Sequence, residues 1–500
     1  MFFCDLEQSL KAVSQTVIDC LDEERNFMPC RFGNWEIAHD TGRWWEAALL
    51  LEQSVGLKIP ERAERAMAIN LRALTNNPFG MLMNDPEIFA NQTRVNFHNP
   101  REELLALTAL TKYRGSLWAR RCGEKVIETV DRRFFLRNLT DDDIRRELGI
   151  GREPEGKGKT VSPYKGKDKT GSTGRAIEGL LEFWQATGSE KAKEVLWKAV
   201  EFHRAHNLHE DGSAPDWMEC QEHVGHNHSY LGTLRGLLRV AIEFGDGEMK
   251  ESIYKTYKNS VRRYCVSPSG FAPHDLARLS FPDDRGDPLG DHASCADAAY
   301  IAYLLAAKCG YTELFDDTER LIRARLFRMQ KENGEDFGAW GIYGGYFGQG
   351  ATIDVFCSTA STLCRIYNEM VHETDEAVCI DLHFSKDTPS VRIEARRGER
   401  QEIKAVMKVG KSLRVRLPAW CREESVRAVF EDGEACPFEK EGNYLVISRQ
   451  AAGGGREINI SFDLPERTTI ETTWASGTQY RIFWRGDEIL RHEEICAEKV

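Results

Sequence analysis

The chain has no apolar run approaching the ~18–20 residues of a membrane span, so no helix is expected to cross a bilayer. It also lacks an excess of positive charge. The formal net charge is −12 and the pI is near 5.7, which disfavours a nucleic-acid partner. The opening residues, Met1-Phe-Phe-Cys-Asp-Leu-Glu-Gln8, have neither the basic start nor the apolar stretch of a secretory signal, so the expected location is cytoplasmic. Without such a signal, the sequons at Asn91, Asn138 and Asn459 carry little weight. The fourteen cysteines show no framework spacing. Cys122, Cys309 and Cys364 fall within helical patterns, as reduced core thiols would. Disorder is excluded by an apolar fraction of 41% that includes 11 Trp and 24 Phe.

What is present is a repeat. The stretch Asp287-Pro-Leu-Gly-Asp-His-Ala-Ser-Cys295 is a polar, bent loop that feeds a small-residue apolar helix beginning at Ala296. The same arrangement appears at His39–Arg43, His98–Glu102, Thr170–Arg175, His226–Ser229 and Asp354–Cys357. The markers Gly42, Glu102, Gly174, Gly232, Cys295 and Cys357 stand about 60 to 70 residues apart, room for two helices and their connections. Trp44, Ala47, Ala48, Leu51 and Val55 recur at helical spacing, and the segments Leu104–Leu110 and Ile177–Trp184 are apolar on most faces, so they should be buried on most faces. The intervening segments 62–75, 118–130, 192–204 and 317–328 carry one charged side, as an outer ring should. Gly56, Gly188 and Gly310 stand where C-caps belong.

Near Asp375 the apolar period changes from 3.6 to 2, and strand-like runs follow from Val378 to Thr473, separated by Gly and Asp turns. The expected fold is mainly α with a C-terminal all-β part: a capping segment over 1–33, an (α/α)6 toroid over 34–373 and an antiparallel β-sandwich over 374–500. The last ~25 residues either return to the helical part or follow the sandwich. Residues 151–171 contain five Lys and almost no large apolar side chain, and read as a solvated insertion or a substrate lid.

A closed ring of six hairpins would bring the six inner-helix N-termini to one face, where their N–H groups and partial positive charge suit oxygens and anions. Trp35, Glu36, His39, Asp40, Arg43, His98, Glu102, Arg175, Glu222, His223, His226, His228, Asp287, Asp291, His292, Cys295, Trp340, Asp354 and Cys357 would meet there. Seven of the thirteen histidines, including His274, fall in or beside these loops. Aromatic residues with carboxylates and imidazoles in a deep pit suit a sugar. Each residue also has a structural reading. Asp40 or His39 reads equally as a helix cap, Arg43 and Arg175 as braces between neighbouring helices, and Cys295 and Cys357 as core thiols.

The order of motifs resembles the six-hairpin glycosidases, most closely the β-L-arabinofuranosidase group, glycoside hydrolase family 127. The parallels are Asp40-Thr-Gly-Arg-Trp-Trp45, Ser294-Cys-Ala-Asp297, Phe356-Cys-Ser358, Glu376-Ala-Val-Cys-Ile-Asp-Leu-His383 and Leu413-Arg-Val-Arg-Leu-Pro-Ala-Trp420. In that family a Glu-x-Cys motif and a Cys-Cys pair hold zinc, and one of the paired cysteines is the nucleophile. This chain has Ala293-Ser294-Cys295 and Phe356-Cys357 at those places, so two zinc ligands are missing and Phe356 stands at the nucleophile. Cys295, Cys357 and His292 are what a zinc ion would have left to it.

The resemblance implies a glycoside hydrolase acting on a terminal sugar or small oligosaccharide. With the zinc set incomplete, paired carboxylates are expected to do the chemistry, with Asp291, Asp287, Asp40 and Asp354 as candidates. Trp35, Trp45 and Trp340 would stack on sugar rings, and His39, Arg43, His98, Glu102, Arg175, His226, His228 and His292 would bind or tune. No cofactor is required, zinc stays open, and a homodimer is compatible. Two alternatives stand: a uronate lyase or unsaturated-uronyl hydrolase, using the Lys-rich loop with Arg43 and Arg175, and a non-catalytic carbohydrate-binding protein.

Overall fold

The structure, a computed structural model, describes residues 3–33, 35–84, 98–149, 173–215, 218, 225–276, 282–473 and 475–495. The Lys-rich 151–171 stretch and the Glu222–His223 pair lie outside them. Among the described residues, twelve helices build the ring of the N-terminal part: α1 Leu6–Asp19, α2 Ile37–Val55, α3 Glu61–Leu74, α4 Pro100–Arg114, α5 Leu117–Val130, α6 Ala176–Thr187, α7 Glu190–Asn207, α8 Asn227–Glu243, α9 Gly247–Thr256, α10 His292–Cys309, α11 Phe315–Leu321 and α12 Ile353–Glu369, and a further short helix, Asp141–Glu147, follows α5.

The inner helices α2, α4, α6, α8, α10 and α12 pack each on the next, and α12 closes back on α2. Around them lie α3, α5, α7, α9 and α11, each beside the inner helix that precedes it. The twelfth place goes to α1, which packs on α12 and α2, so part of the 1–33 segment belongs to the ring itself. Its Trp44 anchor shows why: the Trp44 indole N–H donates to the Val17 carbonyl at 2.7 Å.

The inner ring closes because its helices carry small residues where they touch. A Cβ on Gly42 would stand 3.0 Å from the Glu102 main chain, so α2 and α4 approach at a distance only glycine allows. Gly56, Gly188 and Gly310 each end an inner helix in the left-handed conformation, with φ of 74°, 68° and 86°.

Glu103, in the first turn of α4, is buried away from any described cation. Burial pushes its carboxyl well above the usual range, opposed only by the Leu82 N–H, which donates to it at 3.1 Å. A carboxyl raised on folding contributes stability below its unfolded value and loses it as pH rises through the folded one. Glu103→Gln should therefore melt higher than the parent near pH 8, with the gap closing towards pH 4. Melting curves across that range check it.

Residues 371–463 form two five-stranded sheets. One runs 439–441, 444–447, 412–416, 377–380, 371–373; the other runs 427–430, 457–463, 400–407, 391–397, 386–387. All pairs are antiparallel except 412–416 with 377–380. Val378, Ile380, Leu413 and Val415 meet Ile393, Ile403, Ile458 and Ile460 between the sheets. Alternation puts every second residue into this core, as in Val391–Arg397.

The final residues resolve the alternative left open by the sequence. Strands 466–472, 479–485 and 488–495 make a third sheet. Its Tyr480, Ile482, Trp484 and Ile489 pack on Phe271, Ala324, Tyr343 and Tyr346 of the helical part.

Candidate active site

A short ribbon joins the loops at the mouth of the ring. The Leu276 N–H donates to the Gly225 carbonyl (2.7 Å), and Asn227 donates to the His274 carbonyl (2.9 Å). On its other edge, His274 donates to Leu289 (2.7 Å) and Asp291 to Ala272 (2.9 Å). Gly290 and Asp291 then pair with Tyr343 and Ile342. A Cβ on Gly290 would stand 1.9 Å from the Tyr343 ring, so this crossing also requires glycine. The ribbon delivers His226 and Asp291 to the N-caps of α8 and α10.

The inner N-termini do share one face. Imidazole rings mark it: His39 and His98 lie 5.9 Å apart, His98 and His226 5.9 Å, His226 and His228 6.0 Å, and His226 and His274 4.6 Å. Trp35, 38% exposed, stands edge-on to His39 at 4.7 Å and to His98 at 5.7 Å. Trp35, His98, His226, His274 and Asp354 keep some surface, while Asp40 and Asp291 are buried beneath them.

Beneath the pit the ring's axis is filled by paired charges. Glu102 takes Arg43 at 2.8 Å, Arg101 at 3.3 Å and Arg175. Glu178 takes Arg101 at 3.2 Å, Arg239 at 2.7 Å and Arg235. Arg235 reaches Asp297 at 2.7 Å, and Asp297 holds His228 Nδ1 at 2.6 Å. Burial alone would raise Glu102, but Arg175, Arg43, His39 and Arg101 hold it well below the usual range. Arg43 and Arg175 thus take the bracing role.

The network sets the histidine tautomers. His228 Nε2 stands 2.6 Å from Arg43, a pure donor, so the ring accepts there and carries its proton on Nδ1 toward Asp297. Burial, with Arg43 and Arg175 adding, keeps His228 well below its ordinary value and hence neutral. His39 donates from Nδ1 to Asn99 Oδ1 at 2.9 Å, and burial pushes it down to about 3. His98 and His226 are lowered too, by burial first. His274 goes the other way. Burial opposes its charge, but Asp275, 2.8 Å from Nδ1, raises it, with Asp291 and Asp354 adding.

Three carboxyls face this group from three helices. Burial raises Asp40 well above the carboxylate range, and repulsion from Asp354 and Glu36 adds to it. Burial also raises Asp354, where Asp291 adds and Arg43 opposes. Asp40 Oδ1 and Asp354 Oδ1 have no hydrogen-bond partner. Asp291 is raised by burial against His274 and its own two bonds, from the Ala293 N–H (2.9 Å) and the Ser294 hydroxyl (2.6 Å). Those bonds make Asp291 the N-cap of α10 as well as a pit carboxylate. Asp291→Asn should therefore keep the cap and melt no lower than the parent, while Asp291→Ala loses ~1 kcal/mol of stability in denaturant titrations.

Other expected residues lie elsewhere. Asp287 accepts the Ser476 N–H (2.8 Å) and hydroxyl (2.6 Å), so it fastens the C-terminal sheet to the loop before α10. Trp45 is fully buried in the core against Trp44, and Trp340 is fully buried with its N–H on the Leu326 carbonyl at 2.8 Å. Neither offers a face to a sugar. His292 is stacked on Tyr343 at 4.4 Å and bonded to the Gly341 carbonyl at 2.8 Å.

The zinc set does not fit. Cys295 points to the Leu321 carbonyl, and burial pushes its thiol up to about 12. Cys357 lies near Cys20 of α1 and Asp40, and burial raises it well above the ordinary thiol range. Among the described residues, no three His, Cys, Asp or Glu side chains are placed to hold a metal ion.

The sequence reading did not assign Arg101, Glu178, Arg235 or Asp275 to this end of the ring. The signal was there: a charge inside an all-apolar helix must find a partner.

No protein-family model and no curated protein sequence matches the chain. Solved structures do. A GH127 β-L-arabinofuranosidase from Geobacillus stearothermophilus T6 is 14% identical, with a TM-score of 0.58 over 97% of this chain and 80% of its own. A second GH127 β-arabinofuranosidase is 16% identical, with a TM-score of 0.61 over 95% and 78%. A D-mannose isomerase is 13% identical, with a TM-score of 0.52 over 73% and 97%. The likeness shows the fold. It is a six-hairpin toroid followed by a β-sandwich: the two β-arabinofuranosidases match nearly the whole chain, and the isomerase 73% of it. Among the described residues no helix is long and apolar enough to cross a membrane.

Proposed function

We propose that this protein is a glycoside hydrolase acting on a terminal sugar or a small oligosaccharide through paired carboxylates. The observation that carries the reading is the group of Asp40, Asp291 and Asp354 at one mouth of the ring. Burial raises all three; Arg43 opposes it at Asp40 and Asp354, and His274 opposes it at Asp291. Pairs of acids whose surroundings push them apart are how one site holds both an acid and a base. Asp354, a residue that keeps some surface while its Oδ1 is buried without a hydrogen-bond partner and Asp40 stands behind it, is the acid that protonates the leaving oxygen. Asp291, facing His274, is the carboxylate that activates water or meets the anomeric carbon. Trp35 offers the exposed aromatic face for a sugar ring.

The uronate alternative loses support, because Arg43 and Arg175 are already paired with Glu102. The linked imidazoles His98, His226 and His274 favour one second reading, a sugar epimerase or isomerase working by proton transfer at carbon. A panel of aryl glycosides and oligosaccharides in deuterated water separates the two. The expected result is release of a free sugar without deuterium at carbon. Isomerised sugar carrying carbon-bound deuterium would establish the second reading, and binding without turnover would leave a carbohydrate-binding protein.

A further inference from the structure

Segment 272–276 belongs to no helix and carries none of the family motifs, yet it forms the middle of the ribbon that shapes the pit. Its register places Ala272 opposite Asp291, Pro273 opposite Gly290 and His274 opposite Leu289. In an antiparallel ribbon, residues two apart point to the same face, and diagonal neighbours lie ~7–8 Å apart between Cα atoms. His274 and Asp291 are such diagonal neighbours. On the other edge, Asp275 pairs with His226, and the His274 ring lies 4.6 Å from the His226 ring. The main chain of His274 is held at both N–H and C=O. Its Nδ1 is held by Asp275, which is 1% exposed, while the His274 side chain remains 18% exposed.

We propose that His274, oriented by Asp275, is a positioning residue whose positive charge keeps Asp291 ionised, so that Asp354 is left to carry the acid proton. This assignment of roles rests on the glycosidase reading above. Among the described residues, the foremost charged and titratable groups around His274 are Asp275 from its own segment, His226 from the start of α8, Asp291 from the cap of α10 and Asp354 from the first turn of α12. Three of these are acids and the fourth is an imidazole held neutral by burial, with His274 among the charges that add to it. His274 is therefore the group in this set that carries the cation. Asp291 feels it directly, since His274 is the foremost influence opposing burial there. Asp40 feels Asp354 and Glu36 instead, and Asp354 is opposed by Arg43.

The experiment follows aspartate carboxyl resonances by NMR through a pH titration of the full chain labelled with [¹³C]aspartate. Asp291 is assigned by its loss in Asp291→Asn, and kcat/KM for sugar release is measured over the same range. In His274→Gln the Asp291 midpoint should rise by about one pH unit, and the acidic limb of kcat/KM should rise with it. Asp275→Asn should move both the same way by less, and it carries the test alone where His274→Gln does not fold. An Asp291 midpoint that stays at the parent value overturns the proposal. So does an activity that falls equally at every pH, the mark of a structural role. If the parent protein hydrolyses no glycoside, the glycosidase reading fails by itself. The Asp291 midpoint then still decides whether His274 holds that charge.

Discussion

Asp354→Asn should lower turnover by roughly 10²–10⁴-fold, the usual loss on removing general acid–base assistance, while melting no lower than the parent. Asp354 keeps some surface at the first turn of α12 and its Oδ1 is buried without a hydrogen-bond partner, so an amide of the same shape breaks no bond at that atom. Burial raises Asp354, with Asp291 adding and Arg43 opposing. A carboxyl raised on folding stabilises the fold below its unfolded value and loses that contribution as pH rises through the folded one. The amide does not titrate, so the variant should match the parent at low pH and equal or exceed it near pH 8. Kinetics on a substrate found in the aryl-glycoside panel, with melting curves at both pH values, check the two halves separately. Parent-like turnover would remove Asp354 from the chemistry. A large fall in melting temperature would mean that the carboxylate holds α12 in place.

Glu102→Gln should be the most damaging single change to stability, by about 3–5 kcal/mol, the range for removing one partner of a buried ion pair. Glu102 is fully buried and serves Arg43, Arg101 and Arg175 together, so the amide leaves Arg43 and Arg175 short of an anion while Arg101 keeps Glu178. The sign with pH is opposite to that of Asp354. Glu102 is held well below the carboxylate range by those cations against burial. Its contribution is therefore present above the unfolded value and lost as pH falls through the folded one. Denaturant titrations near pH 7 should show the full loss, and the gap to the parent should narrow only in strong acid. A loss below ~1 kcal/mol would mean that Arg43, Arg101 and Arg175 find other partners. Activity should fall as well, because Arg43 fixes His228 and His39 at the floor of the pit.

The sequence by itself determined the ring, the sandwich and the face on which the pit lies. Those features follow from local periodicity: a helix apolar all round must be inner, and a switch from period 3.6 to period 2 must leave the ring. Polar loops before six such helices then have to meet at one end, which is why Trp35, His39, Asp40, Arg43, His98, Glu102, Arg175, His226, His228, Asp291 and Asp354 come together. Tertiary structure alone decided which residues of those loops face the pit. Trp45 lies in the core beside Trp44, two residues after Arg43, and His292 turns behind its helix one residue after Asp291, because successive residues on a helix point ~100° apart. Asp287 was claimed by Ser476, a contact spanning 189 residues that no local pattern carries. The part played by His274 also came from pairing register, in a segment too short to show a period. The charges on the axis were visible as breaks in apolar helices. Which Arg meets which Glu was decided by the closing of the ring, since each pair joins helices that are distant in the chain.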